Sequence, residues 1–351
     1  MKIRGKKIIF LLFATVVFLI LQMGYVRAAE VIKWKMPVGY TAGTTLWDFI
    51  AVGFANHAKV LSGGRLIIEP FAGGTIVPAF KVTESVRTRI AECGNTWAPY
   101  EVGRDPTCVL FGGGPGGLNS EKMFHWYYGG KGEELLAQWR SETSGVVSFM
   151  LGLGPTEIAA HSHKPIRSLK DFKGLKMRTS GAWAEIIPKL GASVVTLPVG
   201  EIFPALEKKV IDAVEWADPG SNLSLGFHQV AKYIIIPGIH QPSWPWELVI
   251  NPEEWKKLPD DLKEVVRVSA RLTTFESWEK FGYLSMNAMI TYEKTGNEII
   301  VLSDEVLRTV QKLADEWSDG HAAKNPWFKK VYESQKTFRS TWDKTSYYRM
   351  R

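Results

Sequence analysis

The chain has 351 residues, 45% hydrophobic, 12% aromatic and 23% charged, which excludes disordered, fibrous and multi-span membrane classes and leaves room for two domains. Its net charge of +7 points toward a polyanion only until the distribution is read, because Lys2, Arg4, Lys6, Lys7 and Arg27 all precede the first acid, Glu30. Of the 43 Lys and Arg residues, the 38 that remain face 36 Asp and Glu, so the argument for a nucleic-acid partner loses its support.

Residues 1–28 read as a secretory signal. Lys2 to Lys7 is basic, Ile8 to Leu21 is apolar, and Val26-Arg27-Ala28 supplies the small or aliphatic residues of a cleavage site. The alternative is a single membrane anchor, since the apolar run falls just short of the ~17–25 residues a span needs. No Cys follows it, which excludes a lipid anchor there. The two cysteines, Cys93 and Cys108, are too few for a disulfide framework and are expected unpaired and buried.

Strand-like and helix-like segments then alternate. Ile32 to Met36 reads as a strand, Thr45 to Leu61 as a helix with Leu46, Phe49, Ile50, Phe54, His57 and Leu61 on one face, and Arg65 to Glu69 as a strand. Phe71 to Pro78 is a Gly-rich loop. A helix near Phe80 to Thr88 followed by a strand at Ile90 to Cys93 is echoed by a helix at Glu201 to Lys209 and a strand at Val210 to Val214, as two related α/β lobes would show. Gly174 to Arg178 is a further short strand. Open α/β lobes bind ligands at the carboxyl ends of strands. The last third is helical: 260–296, on the order of 50 Å long at 1.5 Å per residue, then 303–320, then an aromatic helix at 325–342 that needs its own lobe or a second subunit to cover it.

Familiar chemistry is mostly missing. Phe111 to Gly117 is Gly-rich but lacks the Gly-Lys-Ser/Thr of a phosphate loop, and no G-x-G-x-x-G follows a strand. His161 and His163 have no further His or Cys at zinc spacing and read as solvated loop residues. No Gly-x-Ser-x-Gly elbow is present. What remains suits a small anion. Arg178 ends a strand, and its guanidinium fork can take both oxygens of a carboxylate, although a structural ion pair is the alternative. Glu215 and Trp216 follow another strand, and Tyr100 follows a third.

At these residues the chain resembles a family. The runs Phe71-Ala-Gly-Gly-Thr-Ile-Val-Pro78, Ala98-Pro-Tyr100, Gly174-Leu-Lys-Met-Arg178, Leu197-Pro-Val-Gly-Glu201 and Ile211-Asp-Ala-Val-Glu-Trp216 are similar to those of the extracytoplasmic solute-binding proteins of tripartite ATP-independent periplasmic (TRAP) transporters. The nearest branch binds 2-oxo acids. The resemblance runs from about Ile32 to Trp342. It implies an α/β, two-lobed, type II-like periplasmic binding protein: lobe I at 29–153 and 241–270, lobe II at 154–240, a lobe-spanning helix at 260–296, and C-terminal helices at 303–342 that serve a homodimer. It implies no enzyme activity and no catalytic residue. A small carboxylate, a 2-oxo acid such as pyruvate or a 2-hydroxy acid such as lactate, is held and handed to a membrane permease. The alternatives are a secreted metal-dependent enzyme acting on a keto acid and a binding protein that feeds a sensor.

The resemblance also implies the site. Arg178 takes the carboxylate, with Glu157, Trp216, Tyr100, Asn95 and Phe71 around the ligand, and Trp183 and Trp244 as further wall candidates. A cation, Ca²⁺ or Na⁺, is expected beside the ligand with Glu157, Glu215, Trp216 and Gln241 as its oxygen ligands. Two of these depart from the family pattern, which has Gln at the position of Glu157 and Glu at the position of Gln241. Arg89 and Lys209 stand where family helices end in Gly, which predicts either strained left-handed backbone or a reshaped turn.

Overall fold

The computed structural model describes residues 31–349; the signal-like stretch of residues 1–28 lies outside the described residues. Eleven strands form among these: β1 Ile32–Pro37, β2 Leu66–Phe71, β3 Cys93–Thr96, β4 Val147–Gly154, β5 Ala160–Ser162, β6 Lys176–Arg178, β7 Ser193–Val195, β8 Ala213–Val214, β9 Tyr233–Ile236, β10 Trp244–Ile250 and β11 Glu298–Val301. In the first lobe β1 pairs in parallel with β2, and β10 lies between β3 and β4, antiparallel to both. A bridge from Val38 to Asn95 joins these sheets edge to edge. The second lobe is one six-stranded sheet, β11-β9-β5-β8-β6-β7. The chain crosses between lobes after β4 and returns after β9. Every residue of β10 is buried, which makes it the spine of the first lobe.

The helix Asp260–Lys294 ties the lobes together. Its inward face carries hydroxyls where β4 presents backbone: Thr274 accepts from Gly152 N–H at 3.1 Å and donates to the Met150 carbonyl at 3.2 Å, while Ser277 accepts from Leu153 N–H at 3.2 Å. The free edge of β4 is thereby satisfied. One end further on, Ser285 donates to Asp218 at 2.6 Å and Tyr292 to the Pro219 carbonyl at 2.7 Å, both at the N-terminus of the second-lobe helix Pro219–Ser224.

Two expected strands begin later than their sequence suggests. Arg89 and Lys209 have φ of 65° and 55°, alone among non-glycine described residues in the left-handed region. After the first helix, Ile90 N–H reaches the Ser85 carbonyl at 2.8 Å and Arg89 N–H reaches Val86 at 3.2 Å; Val210 and Lys209 repeat both bonds to Ala205 and Leu206, at 2.9 Å each. This double bond pattern is a Schellman exit, here without its usual glycine. It consumes the residues up to Ile90 and Val210, so pairing begins at Cys93 and Ala213.

One further expectation is corrected. His161 lies inside β5 with no exposed surface, not in a solvated loop, because β5 is an interior strand between β8 and β9. The helix Pro326–Lys344 covers its own first lobe: Phe328 and Val331 are buried, and Gln335 donates to the Leu110 carbonyl at 2.6 Å. Cys93 and Cys108 are free and buried. No helix among the described residues is long and apolar enough to cross a membrane.

Candidate functional site

Arg178 is the last residue of β6, and its neighbour in register is Val214 at the end of β8. Glu215, the next residue, therefore lies beside it. The guanidinium donates through Nε and Nη2 to the Leu197 carbonyl at 3.1 and 2.9 Å, and through Nη1 to the Glu215 carbonyl at 2.8 Å and Glu215 Oε1 at 3.4 Å. Arg178 is 2% exposed. Backbone carbonyls thus fix the fork from behind, and only part of its charge is neutralised by a carboxylate.

The two crossing segments meet next to it. Glu157, three residues after β4, has its N–H on the Gln241 carbonyl at 3.1 Å, and its own carbonyl accepts from Gly238 at 2.9 Å. A Cβ at Gly238 would sit 2.3 Å from that carbonyl, so glycine is required for the approach. This pairing brings His240 between two acids, with Nε2 3.1 Å from Glu157 Oε2 and 3.4 Å from Glu215 Oε2. One ligand atom from each of Glu157, Glu215 and His240 lies within 4.8 Å of the others, and all three residues are buried. The Trp183 ring packs over the imidazole, with centroids 5.8 Å apart.

The charges in this cluster are unequal. Burial would raise the Glu215 carboxyl, but the His240 hydrogen bond and the Arg178 charge outweigh it and hold it at about 2. Burial pushes Glu157 well above the usual carboxylate range, with the His240 hydrogen bond opposing and the Glu215 charge adding to the rise. Burial disfavours the His240 cation, yet its two carboxylate partners raise it to about 9. Desolvation is the largest single influence on all three groups, and it sets the direction only at Glu157, the hydrogen bonds and charges together overriding it at Glu215 and His240.

In front of these groups lies a narrow crevice, lined on the second-lobe side by Glu157, Arg178, Ser180, Glu215 and Trp216 and on the first-lobe side by Leu46, Trp97, Tyr100, Trp244 and Trp246. One wall is polar and charged, the other aromatic, which is the usual division of labour in a small-ligand site. The aromatic wall is interlocked: Tyr100 stands edge-on to Trp97 at 5.2 Å and to Trp246 at 6.1 Å, and Trp246 edge-on to Tyr40 at 4.8 Å. Burial raises the Tyr100 phenol to about 12, so it presents a hydrogen-bond donor at neutral pH.

Of the residues singled out from sequence, Arg178, Glu157, Glu215, Trp216, Tyr100 and Trp244 meet at the crevice. Phe71 does not line it. Asn95 is buried and engaged, accepting from Tyr40 at 2.5 Å and donating to the Glu247 carbonyl at 2.9 Å. The Gln241 amide nitrogen donates to the Gly112 and Ser243 carbonyls at 2.8 and 2.6 Å, against the Gly-rich stretch, and the neighbouring His240 is the one whose side chain reaches the two glutamates. Sequence reading passed over His240, Trp97 and Trp246. His240 lies in a turn closed by the Gln241 N–H on the Gly238 carbonyl at 2.9 Å, and that turn decides which of the two side chains faces the glutamates.

Residues 40–325 match the family described as bacterial extracellular solute-binding protein, family 7, or DctP. A monocarboxylate 2-oxoacid-binding periplasmic protein of Nostoc sp. is 29% identical over 309 residues, covering 88% of this chain and 84% of that one. Among solved structures, a TRAP transporter solute-binding protein from Bordetella bronchiseptica, a dimer with copurified calcium and picolinate, superposes with a TM-score of 0.85 at 26% identity, covering 91% of this chain and 94% of that one. A TRAP periplasmic solute-binding protein from Pseudoalteromonas atlantica, with bound sodium and pyruvate, gives 0.85 at 25% identity, covering 91% and 97%. With the match spanning both lobes, the long helix and the crevice between them, the chain belongs to the DctP family and is a solute-binding protein of a TRAP transporter, not an enzyme.

Proposed function

We propose that this protein captures a small monocarboxylate in the periplasm, best a 2-oxo acid such as pyruvate and next a 2-hydroxy acid such as lactate, and delivers it to a TRAP membrane permease. The observation that carries this is the buried Arg178 fork, held from behind by two carbonyls and facing an aromatic wall across a small crevice. One carboxylate oxygen pairs with Arg178, while Trp97, Trp216, Trp244 and Trp246 enclose the acid's side chain. Lobe I at 29–153 with 241–270 and lobe II at 154–240, whose sheet β11 completes from outside those bounds, close on the ligand, and contacts made only in the closed state supply the free energy of closure. Export by the 1–28 segment places the protein where the permease is met.

A cation beside the ligand belongs to the same reading. The buried Glu157 and Glu215 carboxylates face one guanidinium and one imidazole, so an arriving cation would be held by their oxygens as His240 gives up its proton. Glu157 and Glu215 would hold it, and it would supply a second anchor for the carboxylate and its adjacent oxygen; calcium and sodium are the ions described for the two structural relatives. Pairing into a homodimer through the C-terminal helix is also part of the proposal. Its support is the exposed Tyr347 and Tyr348 just beyond that helix and the dimer of the Bordetella protein; a monomeric mass by light scattering would exclude it.

The test is thermal unfolding of the mature protein against a panel of small carboxylates, with and without calcium and sodium, repeated on Arg178→Ala. Ligand at about 100 times its Kd stabilises by ~2.7 kcal/mol, and that shift should vanish in the variant. No shift with any acid, or one that survives the substitution, would overturn the proposal.

A further inference from the structure

We propose that His240 Nε2 joins the Glu157 and Glu215 carboxylates as the nitrogen ligand of a divalent transition-metal ion such as Zn²⁺, which this site takes in preference to calcium or sodium. This rests on the cation-assisted reading above and names which ion the chain's own residues favour. Three observations support it. Calcium sites are built from six to eight oxygens, whereas here the third side chain beside the two glutamates is an imidazole. Imidazole suits zinc, copper, iron and nickel, and mixed nitrogen and carboxylate sets bind such ions in the Irving–Williams order.

The spacing agrees. Ligands about 2.0–2.2 Å from a zinc ion, at angles between square and tetrahedral, lie about 3.0–3.5 Å from one another, and His240 Nε2 is 3.1 and 3.4 Å from its two carboxylate oxygens. The imidazole is also held in place. Trp183 packs over its ring, and Gly238, two residues before it, is pinned to the Glu157 carbonyl, so the nitrogen is directed by the fold rather than by a flexible loop. Three protein ligands leave coordination positions open toward the crevice. An acid that chelates through one carboxylate oxygen and an adjacent oxygen or ring nitrogen fills two of them while Arg178 keeps the other carboxylate oxygen. The ligand class thereby extends from 2-oxo acids to heteroaromatic 2-carboxylates.

The test is calorimetric titration of chelator-stripped full-length mature protein with zinc, manganese, calcium and sodium chlorides, on wild type, His240→Gln and Glu157→Gln, with far-UV circular dichroism to confirm that each variant is folded. The expected result is one zinc site whose affinity exceeds that for calcium, with this ratio falling at least tenfold in His240→Gln. Elemental analysis of protein purified without added metal should find zinc or another transition metal near one equivalent. A zinc-to-calcium ratio that His240→Gln leaves unchanged, or no single zinc site in folded wild type, would overturn the inference. A parallel pyruvate titration separates it from the functional reading: binding that needs Arg178 but no transition metal leaves the transport reading standing and removes this one. Pyruvate and picolinate binding under no ion condition removes the transport reading, whatever the metal titration gives.

Discussion

His161→Leu should flatten the acid side of this protein's stability curve. His161 is fully buried in β5, both ring nitrogens lack a hydrogen-bond partner among the described residues, and its neighbours are Phe227 at 5.7 Å and Tyr292 at 5.6 Å. Burial, with a smaller push from the nearby His228, lowers it from 6.5 to about 3. The folded state therefore refuses a proton that the unfolded chain accepts from about pH 6.5 downward, so stability falls as pH drops through that value and goes on falling to about 3. At 1.36 kcal/mol per pH unit, the difference between pH 7 and pH 5 is ~2 kcal/mol. Leucine fills the site without titrating, and it leaves no orphaned nitrogen. Urea unfolding of both proteins at pH 7, 6 and 5 should therefore show the stability gap between variant and wild type widening in the variant's favour by ~2 kcal/mol, or roughly 3 °C in parallel melts. Curves that stay parallel from pH 7 to 5 would refute the argument, since they would mean that His161 takes up its proton without unfolding.

Two further outcomes follow from buried contacts. Arg140 has no exposed surface and donates to both Glu247 and Glu101, so Arg140→Met should cost ~3–5 kcal/mol by stranding the Glu247 carboxylate. Adding Glu247→Gln should recover part of that loss in urea unfolding; a double variant no better than the single would show that packing, not charge, is at stake. A Cβ on Gly154 would lie 1.7 Å from the Trp244 indole, so Gly154→Ala should lower stability by about 1–3 kcal/mol and, because Trp244 lines the crevice, weaken carboxylate binding in calorimetry. Unchanged affinity would mean that Trp244 shifts without disturbing the wall.

Much of this protein was legible locally. Most of the positive excess lies in residues 1–28, visible by counting, and the position of Arg178 at a strand end was readable because a strand end is a property of a few adjacent residues. The left-handed backbone at Arg89 and Lys209 was also predictable, since a Schellman exit depends only on its own helix. What made the two strands after those exits begin later was the same hydrogen bonding, which propensity alone does not count.

The rest depended on segments distant in sequence. Whether His240 or Gln241 faces the glutamates is decided by the turn from Gly238 to Gln241 and its pairing with Glu157 across two interlobe crossings. Trp97 and Trp246 form the aromatic wall only because β3 and β10 are neighbours in one sheet. His161 is buried because β8 and β9 flank it, although its own neighbours in sequence are polar or small. The sequence by itself determined the family and the local turns, since each is written in a short run of residues. Only the tertiary structure decided which side chains share the buried cluster, because that follows from strand order and crossing register, which no local run encodes.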